Sequence, residues 1–181
     1  FSVPDDDPVH DEAIRALERA CNVDHVTPVK CGFVVSSKEL GLWLESIGFS
    51  GQAKTKRIPC WVYSLPHDQQ LALLGGLVDS DGWSERDGKS LCIELANREL
   101  LEDARQLAIG CGLFADGQLT ERTRTVTFPD AHTVTSTTWR LRIQGDLSRV
   151  DVRDQNKAGT SAAKWRRNAY QAATGLNFQS L

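Results

Sequence analysis

Two carboxylates, Asp79 and Asp81, close an apolar run that carries adjacent glycines: Leu73-Leu74-Gly75-Gly76-Leu77-Val78-Asp79-Ser80-Asp81-Gly82. The apolar spacing predicts a helix over about Gln69–Asp81. Each glycine inside it costs roughly 1 kcal/mol relative to alanine. The usual compensation is close approach of another backbone, as in small-residue helix crossings. The acids then stand at the C-terminal end of the helix, where the macrodipole disfavours negative charge. Carboxylates placed against that field are candidates for holding a hard divalent cation, which takes oxygen ligands. A plain buried helix followed by an Asp-Gly turn fits the same residues, and both readings stand at this point.

Basic residues form two further groups. Lys54, Lys56 and Arg57 make a short cationic stretch upstream of the helix, which also reads as a solvated loop. Downstream, Trp139-Arg140-Leu141-Arg142-Ile143-Gln144 alternates cleanly. A strand there packs Trp139, Leu141 and Ile143 on helices and leaves Arg140, Arg142 and Gln144 on its open face. Arg and Gln suit bidentate reading of guanine and adenine in the major groove. Arg122 and Arg124 share a face of the neighbouring strand. Alternating arginines are also common on strands of proteins that touch no nucleic acid.

The stretch Leu74–Gly82 resembles, position by position, the nonapeptide of LAGLIDADG homing endonucleases. Lys56-Arg57-Ile58-Pro59 resembles the lysine block that precedes the second such motif in the endonuclease domains of inteins. The resemblance implies an α+β LAGLIDADG homing-endonuclease fold, two pseudo-symmetric αββαββα units forming a DNA-binding saddle. It implies a Mg²⁺-dependent, site-specific double-strand DNA endonuclease, a hydrolase acting in intein or intron homing. Asp81 would be the catalytic, metal-binding acid and Lys56 the block lysine near the phosphate. An internal repeat offers Lys157 as a second basic partner, with Gln155 nearby. Arg122, Arg124, Arg140, Arg142 and Gln144 would bind double-stranded DNA. Asp79 is a structural acid on this reading.

Length and composition set the bounds. A chain of 181 residues suffices for one good core or two small subdomains. No apolar run reaches the length of a membrane span, and no basic-then-apolar signal layout opens the chain. The five cysteines are odd in number, spread out and without a Cys-x-x-Cys pair, which predicts free thiols in a reducing, cytoplasmic setting. The net charge of −3 weighs against nucleic-acid binding. Its distribution softens the objection. Acids crowd Asp5–Glu18, while cations from Arg140 to Arg167 outnumber the acids there. The chain has no methionine and opens on Phe1, which suggests a piece of a longer polypeptide.

The elements that must position these residues fall into two similar runs. The first has a strand at Phe1–Pro4, a helix through Ile14, Leu17 and Ala20, a hairpin of His25–Cys31 with Phe33–Ser36, and a helix from Ser37 to Gly48. The second has a strand at Ser90–Ala96 and Asn97 capping a helix to Gly110. Strands at Leu119–Phe128 and Thr135–Gln144 follow, then a helix over Ala158–Ala173. Asp87-Gly88 marks a hairpin turn. Residues 1–59 form a first subdomain lacking its motif helix, and 60–181 a second that contains it, with Gly51–Lys56 at the boundary. The missing helix is expected upstream in the same polypeptide or, as a second option, from another chain. No splicing block lies within these residues. The alternative function is a catalytically inactive LAGLIDADG-fold nucleic-acid-binding protein, a transcription regulator or RNA-splicing maturase. A third is an enzyme unrelated to DNA with Asp79 and Asp81 in a sugar- or metal-binding turn.

Overall fold

In the computed structural model the described residues are 9–21, 26–29, 32–85, 88–127 and 133–160. The elements are α1 (His10–Cys21), β1 (Val26–Val29), β2 (Gly32–Val35), α2 (Lys38–Ser46), α3 (His67–Asp81), β3 (Gly82–Glu85) and β4 (Ser90–Leu95). They continue with α4 (Arg98–Gly110), β5 (Phe114–Ala115), β6 (Thr120–Thr127) and β7 (Thr133–Gln144). The architecture is α+β. β1 and β2 pair by themselves. An antiparallel sheet runs β3-β4-β7-β5, and β6 also pairs β7.

α3 starts after Pro66, two residues earlier than its apolar pattern indicates. It buries one continuous stripe, Gln70, Leu71, Leu74, Gly75, Val78 and Asp79, the i, i+1, i+4 spacing of a helix face. Leu71, Leu74 and Val78 enter a core with Leu101, Leu107, Leu91, Ile93, Leu141 and Ile143. Helices α3 and α4 therefore cover one side of the sheet. β7 presents Leu141 and Ile143 to them and turns Arg140, Arg142 and Gln144 to the other side, as period-two alternation requires. α4 opens on Asn97, whose side chain accepts the Leu100 N–H at 3.0 Å. α2 opens on Ser37, which accepts the Leu40 N–H at 3.1 Å.

The strand bounds follow the hydrophobic pattern within two or three residues, with the two-residue β5 as an addition. The expected strand at Phe1–Pro4 lies outside the described residues. So does most of the helix expected over Ala158–Ala173, and Ala158–Thr160, which are described, are irregular. Among the described residues no helix is long and apolar enough to cross a membrane.

Two glycines answer to steric demands. α3 passes into β3 without a loop, and a Cβ on Gly82 would stand 2.7–2.8 Å from the Val78 backbone and the Cys92 carbonyl. A Cβ on Gly75 would stand 2.1 Å from the Asp151 carbonyl oxygen. The close approach expected at the glycine pair is thus made at Gly75 by the chain's own segment around Asp151. Gly76 is exposed and a Cβ there meets nothing within 4 Å.

Adjacent substitutions should separate these roles. Gly75→Ala is expected to destabilise the chain by about 2 kcal/mol or more, because the neighbour is backbone and must shift. Gly76→Ala should stabilise it by up to ~1 kcal/mol through helix propensity. Urea unfolding of the two variants checks this, and equal effects would contradict the steric account.

Candidate functional site

The C-terminal end of α3 is built around Asp79, which is 8% exposed. Its carboxylate accepts the Arg153 N–H at 3.0 and 3.1 Å and the Asp154 N–H at 3.0 Å. Lys157 Nζ donates to the Asp79 carbonyl oxygen, placing a cation on the negative end of the helix. Further along the same segment, Ser84 Oγ donates to the Asn156 carbonyl at 3.3 Å and the Thr160 N–H to the Gly88 carbonyl at 2.9 Å. Residues 151–160 thus form a strap that crosses α3 at Gly75, closes on its end and runs past β3. Arg153 also reaches Glu12 of α1 at 3.0 Å.

Asp81, two residues on, is exposed, and its carboxylate makes no hydrogen bond or ion pair with a described residue. Among the described residues no three of His, Cys, Asp and Glu converge to hold a metal ion. Among the described residues a Mg²⁺ ion at Asp81 would have one carboxylate anchor, since Asp79 is spent on amides.

Lys56 lines a cleft of about 200 Å³ with Phe49, Ile58, Leu73, Leu77 and Leu100. Its loop is clipped to α4. Asn97 Nδ2 donates to the Lys56 carbonyl at 2.8 Å and the Ala53 carbonyl at 3.1 Å. Arg57 forms a two-pronged pair with Asp103, both contacts 2.7 Å, and the Ile58 N–H adds a third donor at 3.0 Å. This geometry holds the Arg57 guanidinium well above its ordinary pKa, first through the hydrogen bond and then the charge of Asp103.

The open face of the sheet brings Arg122, Arg124, Arg140, Arg142 and Gln144 together, on the side predicted by alternation. Arg140 and Arg142 are largely paired within the face, while the more exposed Arg122 and Arg124 make fewer contacts there. Arg140 donates to Glu94 at 3.2 and 3.3 Å and stacks 4.6 Å over the Trp83 ring. Arg124 approaches Glu94 at 3.2 Å and Arg122 at 3.9 Å. Arg142 pairs with Glu85 at 3.2 Å, and Gln144 donates to Ser90. Burial would raise the Glu94 pKa, but the Thr138 hydroxyl, Arg140 and Arg124 outweigh it and hold the carboxyl below its usual range. Glu85 is likewise lowered against burial, by the Trp83 N–H, Cys92 and the arginines. The two glutamates were absent from the sequence-derived site. Glu94 lies directly opposite Arg140 in the register, a pairing that needs the strand partners to be known.

No family model matches the chain. It is 59% identical over 182 residues to an iron-sulfur cluster assembly SufBD family protein of Mycobacterium leprae (strain TN). The alignment takes in 100% of this chain and 21% of that protein, so the chain spans about a fifth of its relative's length.

This match overturns the identity drawn from the two short motifs. A protein identical to this chain at 59% of the aligned positions, over the whole of this chain, is named for iron-sulfur cluster assembly. The LAGLIDADG homing-endonuclease assignment, with its DNA cleavage, intein setting, enzyme class and double-stranded DNA partner, does not stand against it. The inactive nucleic-acid-binding alternative falls with it. The geometry supplies physical reasons for the motifs' presence. The glycine–backbone approach is met at Gly75 by the strap and requires no second helix. Asp79 anchors that strap. The arginines of the sheet share Glu85 and Glu94, which weakens the basic footprint expected of a phosphate-binding face.

Asp79→Ala would leave the amides of Arg153 and Asp154 unpaired and should cost about 2 kcal/mol or more. Asp81→Ala should stay within ~0.5 kcal/mol, as exposed positions do. Chemical denaturation of both variants distinguishes them. Glu94 adds a pH signature. Its folded pKa is lowered, so its stabilisation is complete above the ordinary glutamate value of about 4.3 and is lost as pH falls through the folded value. Glu94→Gln should flatten the acid limb of a stability–pH curve, and an unchanged limb would remove Glu94 from the account.

Proposed function

We propose that this chain is a docking module of a SufBD-type iron-sulfur cluster assembly protein, and not the part that holds the cluster. The observation that carries the reading is the 59% identity to the M. leprae relative across the whole chain. The placement of the described thiols supports the second half. Clusters are held by convergent cysteine thiolates. Cys111 sits in the core between helices and sheet, whereas Cys92 lies on the sheet's open side beside Arg142 and Glu85. Burial pushes both thiols up, which keeps them protonated and poor as ligands. Cys60 is exposed and apart. Free thiols at these positions suit a reducing, cytoplasmic setting.

What the fold offers instead is surface: a charged sheet face and a projecting β6–β7 ribbon. The test is removal of the aligned segment from the M. leprae relative, followed by measurement of bound iron and sulfide and of visible absorbance after cluster loading. Assembly should be lost or sharply lowered while the remainder stays folded. Undiminished assembly would mark the segment as a passenger in the larger protein and overturn the reading.

A further inference from the structure

We propose that the outer edge of β6 takes up an extended acidic segment of a partner protein as an added antiparallel strand. The inference deepens the docking reading and rests on it, but its test reads peptide binding in place of cluster assembly, so either can fail while the other holds. Among the described residues β6 pairs only with β7, over Thr120–Thr127. Among the described residues nothing pairs with its other row of N–H and C=O groups, along 8 residues. An open edge of that length is a template for another strand, and strand addition is a recurrent mode of peptide binding.

The side chains define the chemistry. Arg122, Arg124 and Val126 share one face, opposite Thr138, Ser136 and Val134 in the register. Arg122 and Arg124 are 40% and 59% exposed and turn toward a single carboxylate, Glu94, that is 10% exposed. Arg140 and the Thr138 hydroxyl already hold Glu94. The β6 guanidiniums therefore keep donors for further acceptors. Val126 and Val134, a register pair, leave an exposed apolar spot beside them. On the other face, Thr123, Thr125 and Thr127 are occupied by hydroxyl contacts with Thr137, Thr135 and Thr133. The strand that fits carries carboxylates at two alternate positions, opposite Arg122 and Arg124, and an apolar side chain at the next alternate position, beside Val126.

The experiment is fluorescence anisotropy with the full chain and a labelled synthetic peptide of that pattern, matched in length to β6. Saturable binding is expected, weakened roughly tenfold in Arg122→Glu or Arg124→Glu and by high salt. N-methylation of alternate peptide amides should abolish it, because the backbone row is the main donor and acceptor set. Circular dichroism confirms folding, and Arg124→Gln serves if the charge reversal unfolds the chain. Equal binding by the N-methylated peptide, by a peptide with lysine in place of glutamate, or to the Arg122→Glu and Arg124→Glu variants overturns the proposal. Full displacement of the peptide by duplex DNA at comparable concentration, or by self-association of the chain, overturns it in favour of that occupant.

Discussion

Asp79 sets its carboxylate on the amides of Arg153 and Asp154, and the course of residues 151–160 across α3 is arranged around that contact. A helix ends with unsatisfied carbonyls and partial negative charge, so an acid in its last turn begins at a disadvantage. Two responses offset this. Backbone N–H dipoles converge on the carboxylate, and Lys157 places its ammonium on the Asp79 carbonyl. Both come from one segment, which can lie close only because Gly75 has no side chain to hold it away. The glycine, the acid and the lysine form one device. Removing any of them leaves the others in an unfavourable state, so effects at these positions should couple more strongly than those of distant sites.

The open face follows a related logic with charges of both signs. Arg122, Arg124, Arg140 and Arg142 would repel one another on a bare sheet. Glu94 and Glu85 lie among them on neighbouring strands, each receiving more than one donor. Exposed ion pairs contribute little to stability, commonly below 1 kcal/mol. The Arg140–Glu94 pair is different in kind, since both side chains are mostly covered, at 14% and 10% exposure. Losing one partner there would strand a charge away from water. The inner pairs thus fix strand register, while the outer arginines of β6 keep solvent-facing donors.

Features governed by local periodicity were legible in the sequence. The stripe of α3, the Asn97 and Ser37 caps and the in–out alternation of β7 each depend on residues within a turn or a few positions. What was not legible depended on contacts across the chain. Asp79 meets residues 74 and 75 positions away, and Asn97 reaches back to Ala53 and Lys56. The motif reading failed for an instructive physical reason. Adjacent glycines, terminal acids and a basic block encode a helix with a close approach and a polar end. The chain uses each feature internally: Gly75 for the strap, Asp79 for its amides, and Arg57 for Asp103. Short patterns report such local requirements, and different functions can share them.

The contrast between the Lys56–Ile58 loop and the β6–β7 ribbon locates the interaction capacity that remains. In the loop the Arg57 guanidinium, the Ile58 amide and the Lys56 carbonyl are all bonded to α4 or its cap. Asp103 receives Arg57 and the Ile58 amide, and Asn97 both caps α4 and clips the loop's carbonyls. A partner binding there would have to replace satisfied hydrogen bonds, with little net gain. Along β6 the balance is reversed. One backbone row is paired and the other is open among the described residues, while two arginines share a carboxylate already held by stronger contacts. New bonds formed there replace water and few protein contacts. The ribbon can therefore contribute free energy to association without taking it from the fold.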